Sequence, residues 1–160
     1  MSELLILLHQ ELLHHRVCDE RSGQEATALA QREAPLRYHD VASEMVMEEA
    51  AAFAKAQVNE LLAHRKEPLP PLIFAWEPQW AIGAPEPASD EYIRYVCSSV
   101  RSWLQKRFGK QCKVIYGGSA GPGLLGRLWP DVDGIFLGRF AHQPSALEAI
   151  IEEAREIVRQ

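Results

Sequence analysis

The chain has 160 residues, of which 47% are hydrophobic, and its formal net charge is −5. This length and apolar content predict one globular domain over 1–160 with a packed core. The acidic balance disfavours a nucleic acid or a membrane surface as a partner, because both bind basic patches.

The N-terminal apolar run over 4–8 predicts a buried strand. It is too short for a signal-peptide core or a membrane span. The cysteines Cys18, Cys97 and Cys112 are far apart and form no metal-binding pattern. We therefore expect reduced, buried thiols, no metal site and a cytoplasmic protein.

Strand and helix signals alternate along the rest of the chain, which indicates parallel βαβ units. Helices are predicted over 23–32, 42–64, 89–108, 124–128 and 145–159, and the one over 89–108 has Ser89 as its N-cap. Strands are predicted over 35–39, 72–76, 113–116 and 134–137.

The segment 74–83, with the sequence F-A-W-E-P-Q-W-A-I-G, places one carboxylate at the end of an apolar strand. Glu77 lies where the strand becomes a loop, because Pro78 cannot donate to a strand ladder. A glutamate before a proline is ordinarily a solvated loop residue. In α/β barrels, however, active-site residues come from such strand ends.

This segment resembles the triosephosphate isomerase signature, A-Y-E-P-V-W-A-I-G-T-G. The matching positions are Ala75, Glu77, Pro78, Trp80, Ala81, Ile82 and Gly83. A second block, 114–119, resembles the family's Y-G-G-S phosphate-binding turn, and a third, 131–138, resembles its last strand and loop. The blocks occur in the family's order, and the resemblance is dense over 72–151.

The resemblance implies a TIM (β/α)8 barrel, which takes about 250 residues. With 160 residues, we expect an α/β fold that is an incomplete TIM barrel of about five βα units. On this alignment the chain would begin in the fourth strand. The family's catalytic lysine, in an N-x-K motif, would then have no counterpart.

The resemblance also implies roles for individual residues. Glu77 would be the general base, and the backbone amides of Gly83, Ser119 and Gly138 would hold a substrate phosphate. His9, which follows the first strand in an H-x-E pattern, is the candidate electrophile that polarises the carbonyl. No cofactor is implied.

An alternative for the N-terminus stays open at this point. Ser2 could cap a helix that carries His9, His14 and His15 along its surface.

Two departures from the family pattern lie at the phosphate end. Ala84-Pro85-Glu86-Pro87 replaces the lid sequence T-G-K, and Arg139 replaces a second glycine after Gly138. The prolines are expected to stiffen the lid hinge. Arg139 either points outward or supplies a cation to the phosphate. Both departures suggest a paralogous branch.

The expected activity is aldose–ketose isomerisation of a small phosphorylated sugar through an enediol. Glyceraldehyde 3-phosphate and dihydroxyacetone phosphate are the expected substrates, or else erythrulose phosphate. The alternative is a truncated, non-catalytic remnant or pseudoenzyme that acts as a binding or assembly module. Because five strands cannot close a barrel that needs eight, we expect an open, curved sheet and a homodimer or other self-association.

Overall fold

The computed structural model describes residues 46–64 and 71–159, and the backbone of 4–9 and 17–18. Its strands are β1 (Leu4–His9), β2 (Val17–Cys18), β3 (Leu72–Glu77) and β4 (Lys113–Tyr116). They form a four-stranded sheet in the order β2-β1-β3-β4. The strands β1, β3 and β4 are parallel, as the alternating pattern predicted, and the sheet is that of an α/β fold consistent with an incomplete barrel.

Two features of the sheet differ from the prediction. The two-residue strand β2 pairs antiparallel with β1, and a strand so short leaves no periodic pattern in the sequence. The strand predicted over 134–137 is reduced to a single parallel bridge between Ile135 and Tyr116. Just before this bridge, the Asp133 side chain accepts a hydrogen bond from the Val114 amide at 2.7 Å, and the Asp133 amide donates one to the Val114 carbonyl at 2.8 Å.

The described helices are α1 (Met47–Leu62), α2 (Asp90–Phe108), α3 (Leu124–Leu128) and α4 (Pro144–Val158). The predicted N-cap of α2 is confirmed, since the Ser89 side chain accepts a hydrogen bond from the Tyr92 amide at 3.3 Å. The helix ends at Gly109, whose φ of 106° favours glycine. The predicted helix over 23–32 and strand over 35–39 lie outside the described residues.

One face of the sheet is buried against α1 and α2. Because side chains alternate along a strand, Leu72, Phe74 and Trp76 of β3 join this core, while Ile73 and Glu77 are half-buried on the other face. Completely buried core residues from the helices include Val58, Ile93, Val96, Val100 and Leu104. None of the described helices combines the length and apolar character needed to cross a bilayer.

Two of the three cysteines lie in the described core. Cys97 and Cys112 are buried and form no disulfide, as expected. Burial raises the pKa of both thiols, which therefore stay protonated. The side chain of Cys18 lies outside the described residues.

Candidate active site

Glu77 is the last residue of β3, and its carboxyl group is half-buried at the carboxyl edge of the sheet. Burial raises the pKa of this carboxyl group, because desolvation disfavours its charged form. Pro78 follows, and a single turn of 3₁₀-helix over Gln79–Ala81 then leads the chain away from the strand. The carboxylate is therefore presented at the start of a loop, which we call the lid loop (78–88).

Gly117 makes room for the Glu77 side chain. A Cβ atom added to Gly117 would lie 2.4 Å from Cγ of Glu77 and 2.6 Å from its Oε1. The Gly117 amide also donates a hydrogen bond to the Trp76 carbonyl at 2.9 Å. This contact between the ends of β3 and β4 was not predicted, since the sequence motif had suggested only that the glycines bind phosphate.

Tyr116 connects the lid loop to the turn that follows β4, which we call the glycine turn (117–121). Its hydroxyl accepts a hydrogen bond from the Ala88 amide at 3.1 Å and donates one to the Gly118 carbonyl at 3.0 Å. Burial raises the pKa of this phenol, and so its hydroxyl stays protonated and can donate. The end of the lid loop is thereby fixed to the glycine turn.

Ser119 makes a second connection between the same two segments. Its hydroxyl oxygen lies 2.9 Å from the Ala81 carbonyl oxygen and 2.6 Å from that of Ala84. A hydroxyl has one proton, so the two carbonyls share a single donor. Ser119 has a φ of 51°, a left-handed conformation that costs a non-glycine residue about 1–2 kcal/mol. The bonds to the lid loop help to offset this strain.

Aromatic rings support the beginning of the lid loop. Trp80 meets Tyr92 edge to face, with ring centroids 6.0 Å apart, and Trp76 stacks on the same tyrosine at 5.9 Å. Trp76 also contacts Tyr116 at 5.7 Å. The indole of Trp80 thus rests on α2 while its outer side is exposed to solvent.

Arg139 also contacts the lid loop. It follows Gly138 in a 3₁₀ turn over Arg139–His142. Its Nη2 donates a hydrogen bond to the Pro85 carbonyl at 3.1 Å. The side chain thus contacts the lid loop, an arrangement that neither of the two alternatives considered from the sequence described.

The residues predicted to hold phosphate are Ser119, which makes two of these contacts, and Gly83 and Gly138, which lie next to residues that make them. Gly83 lies between Ala81 and Ala84, the two residues that Ser119 binds, while Gly138 adjoins Arg139. Within the described ranges, the amides of Gly83, Ser119 and Gly138 have no hydrogen-bond acceptor. Backbone amides without an acceptor are donors of the kind that bind oxyanions.

His9 is the parallel-strand partner of Glu77 in the sheet. Both residues end their strands at the same edge, so the backbone brings them together. The alternative helix over this segment is wrong for Leu4–His9, which is a strand. The side chain of His9 and the residues His14 and His15 lie outside the described part.

Metal ligands are not clustered anywhere in the part of the chain that the structure describes.

Comparisons of the sequence with known proteins point to one protein family. A family model described as triosephosphate isomerase matches residues 38–154. An L-erythrulose-1-phosphate isomerase of Pectobacterium atrosepticum is 51% identical over 94 residues, which are 58% of this chain and 36% of that protein.

Two relatives named triosephosphate isomerase cover more of the chain. The one from Streptococcus thermophilus is 34% identical over 110 residues, 64% of this chain and 44% of the relative. The one from Phocaeicola vulgatus is 28% identical over 160 residues, 94% of this chain and 64% of the relative. The chain therefore spans less than two thirds of each of these relatives.

Proposed function

The chain belongs to the triosephosphate isomerase family, and from this premise we propose that it isomerises a small aldose phosphate and the corresponding ketose phosphate. The observation that carries the proposal is the half-buried carboxyl group of Glu77 at the end of β3, with its pKa raised and Gly117 leaving space beside it. A base with a raised pKa is better matched to proton transfer near neutral pH than an ordinary glutamate.

Glu77 is the proposed general base. Its carboxylate would remove the proton from one of the two adjacent carbons of the sugar, and the carboxylic acid would return it to the other. The intermediate is an enediol, and no redox cofactor is needed because the sugar is oxidised at one carbon and reduced at its neighbour. The lid loop would exclude water from this intermediate.

The phosphate would be held by backbone amides of Gly83, Ser119 and Gly138. The hydrogen bonds of Ser119 and Arg139 with the lid loop support this proposal, because they connect the segments that carry these amides. Backbone donors suit a chain with a net charge of −5, because they bind an anion locally without a large basic surface. His9 is the proposed electrophile that polarises the carbonyl, and its pairing with Glu77 in the sheet supports this role.

The substrate is proposed to be either a tetrose or a triose phosphate. The 51% identity to an L-erythrulose-1-phosphate isomerase, against 34% to a triosephosphate isomerase, makes erythrulose phosphate the first substrate to test. Glyceraldehyde 3-phosphate and dihydroxyacetone phosphate are the second pair.

The test is a Glu77→Gln variant assayed with both substrate classes. Loss of the base should lower kcat by about 1,000-fold while inorganic phosphate still binds, because the base acts at the transition state. Glu148→Gln is the matched control, since Glu148 is exposed on α4. A Glu77→Gln variant with more than about a tenth of the wild-type activity would disprove the assigned role. A wild-type chain that binds phosphate without turnover would favour a non-catalytic binding module.

A further inference from the structure

A continuous set of contacts runs from the glycine turn through Phe140 and Arg139 to the middle of the lid loop. The first of these contacts is between Gly121 and the Phe140 ring, since a Cβ atom added to Gly121 would lie 2.7 Å from the ring. The ring therefore packs directly on the backbone of the turn. The Arg139 guanidinium carbon lies 5.1 Å from the centre of the same ring.

These contacts orient the Arg139 side chain. The negative face of an aromatic ring attracts a guanidinium group above it and restricts the orientation of that group. The guanidinium then loses less conformational entropy when it makes a further hydrogen bond. Its Nη2 then donates to the Pro85 carbonyl at 3.1 Å. Arg139 is thus an oriented donor whose position depends on the glycine turn.

The bonds from Ser119 and Tyr116 reach the lid loop at Ala81, Ala84 and Ala88. The stretch between Ala84 and Ala88 contains Pro85 and Pro87, which have no amide proton to donate. Carbonyl groups are therefore most of the backbone groups through which this stretch can be bound. Among the described side chains, Arg139 is the one that binds a carbonyl in this stretch.

We propose that Arg139 is a positioning residue, which holds the middle of the lid loop against the glycine turn through the Pro85 carbonyl. This inference rests on the proposed function, because a fastened lid loop serves catalysis only if Glu77 acts beneath it. The competing role for Arg139 is that of a direct ligand of the phosphate.

The test measures amide hydrogen exchange in the lid loop by NMR for the wild-type chain, Arg139→Ala and Arg139→Lys. In Arg139→Ala the amide of Ala88, which donates to the Tyr116 hydroxyl, should exchange about fivefold faster, because the neighbouring stretch of the loop loses one charge-assisted bond. Arg139→Lys should restore part of the protection, since lysine can donate to Pro85 but lacks the planar group that stacks on Phe140.

Arg101→Ala is the matched control. Arg101 also donates to a proline carbonyl, that of Pro130 at 2.8 Å, outside the lid loop. Its removal should leave lid-loop exchange within about twofold of the wild type after correction for global stability.

A second measurement separates the two roles of Arg139. The dissociation constant of inorganic phosphate should change by less than about twofold in Arg139→Ala, while kcat/KM falls by about fivefold. Unchanged exchange in the lid loop would overturn the inference, and so would a tenfold loss of phosphate affinity with unchanged exchange. A wild-type chain without isomerase activity would instead count against the proposed function, and the exchange result would still decide the role of Arg139.

Discussion

Glu77 and Tyr116 are neighbours at the same strand ends, and burial raises the pKa of both, with opposite consequences. For Tyr116 the shift moves titration further from neutral pH, so its hydroxyl is always a neutral donor. For Glu77 the shift moves titration toward neutral pH, so its carboxyl group can both release and accept a proton. One physical cause thus produces a fixed structural bond and a titrating acid.

The raised pKa of Glu77 also predicts a pH-dependent cost in stability. The pKa of Glu77 is higher in the folded state than in the unfolded state, so between these two values the folded state binds more protons. The free energy of unfolding therefore falls as the pH rises through this range. Glu77→Gln should therefore raise Tm at pH 7, whereas the two proteins should unfold alike below about pH 4. Thermal unfolding across this pH range is the measurement, with Glu148→Gln as the control. A lower Tm for Glu77→Gln at pH 7 would contradict the burial argument.

The sequence was sufficient to place Glu77 at the end of a strand, because the apolar run and the proline around it are local and continuous along the chain. It was not sufficient for Gly117, whose contact with Glu77 depends on how β3 and β4 align at their ends. The same holds for Arg139, since its bond to Pro85 joins residues 54 positions apart. Contacts of this kind leave no short-range pattern from which they could be predicted.

Some of the secondary-structure elements could be predicted from the sequence and others could not. The helix α2 and the strand β4 were predictable, because α2 has a serine cap, a long amphipathic pattern and a terminal glycine. The antiparallel strand β2 and the shortened segment around Ile135 were not. Their extents depend on pairing with a neighbouring strand, which leaves no local pattern in the sequence.

The attachment of the lid loop to the glycine turn gives an element-level prediction. Tyr116→Phe removes one acceptor and one donor, which leaves the Ala88 amide and the Gly118 carbonyl without their buried partner. The free energy of unfolding should fall by about 1–3 kcal/mol. Urea denaturation measures the loss, and Tyr95→Phe, at a tyrosine 39% exposed on α2, should change stability by less than about 0.5 kcal/mol. Equal losses in the two variants would show that the Tyr116 hydroxyl does not fasten the loop.

At the scale of the whole molecule, the two faces of the sheet are unequally covered. The helices α1 and α2 bury one face of the described strands β3 and β4. On the other face, which also carries Glu77, Ile73 of β3 and Ile115 of β4 are half-buried. An apolar face that retains solvent exposure favours association, because burying its side chains releases about 25 cal/mol for each Å² removed from water.

We therefore expect the 160-residue chain to self-associate through this face. Light scattering should give a mass of at least a dimer, and Tm should rise with protein concentration, since association stabilises the folded state by mass action. Ile73→Thr should weaken the association, because a hydroxyl replaces apolar surface at the face. Ile151→Thr is the matched control, at an isoleucine 42% exposed on α4, and should leave the mass unchanged. A monomer at every concentration, with a sharp and cooperative unfolding transition, would show that the half-buried face is stable in water without a partner.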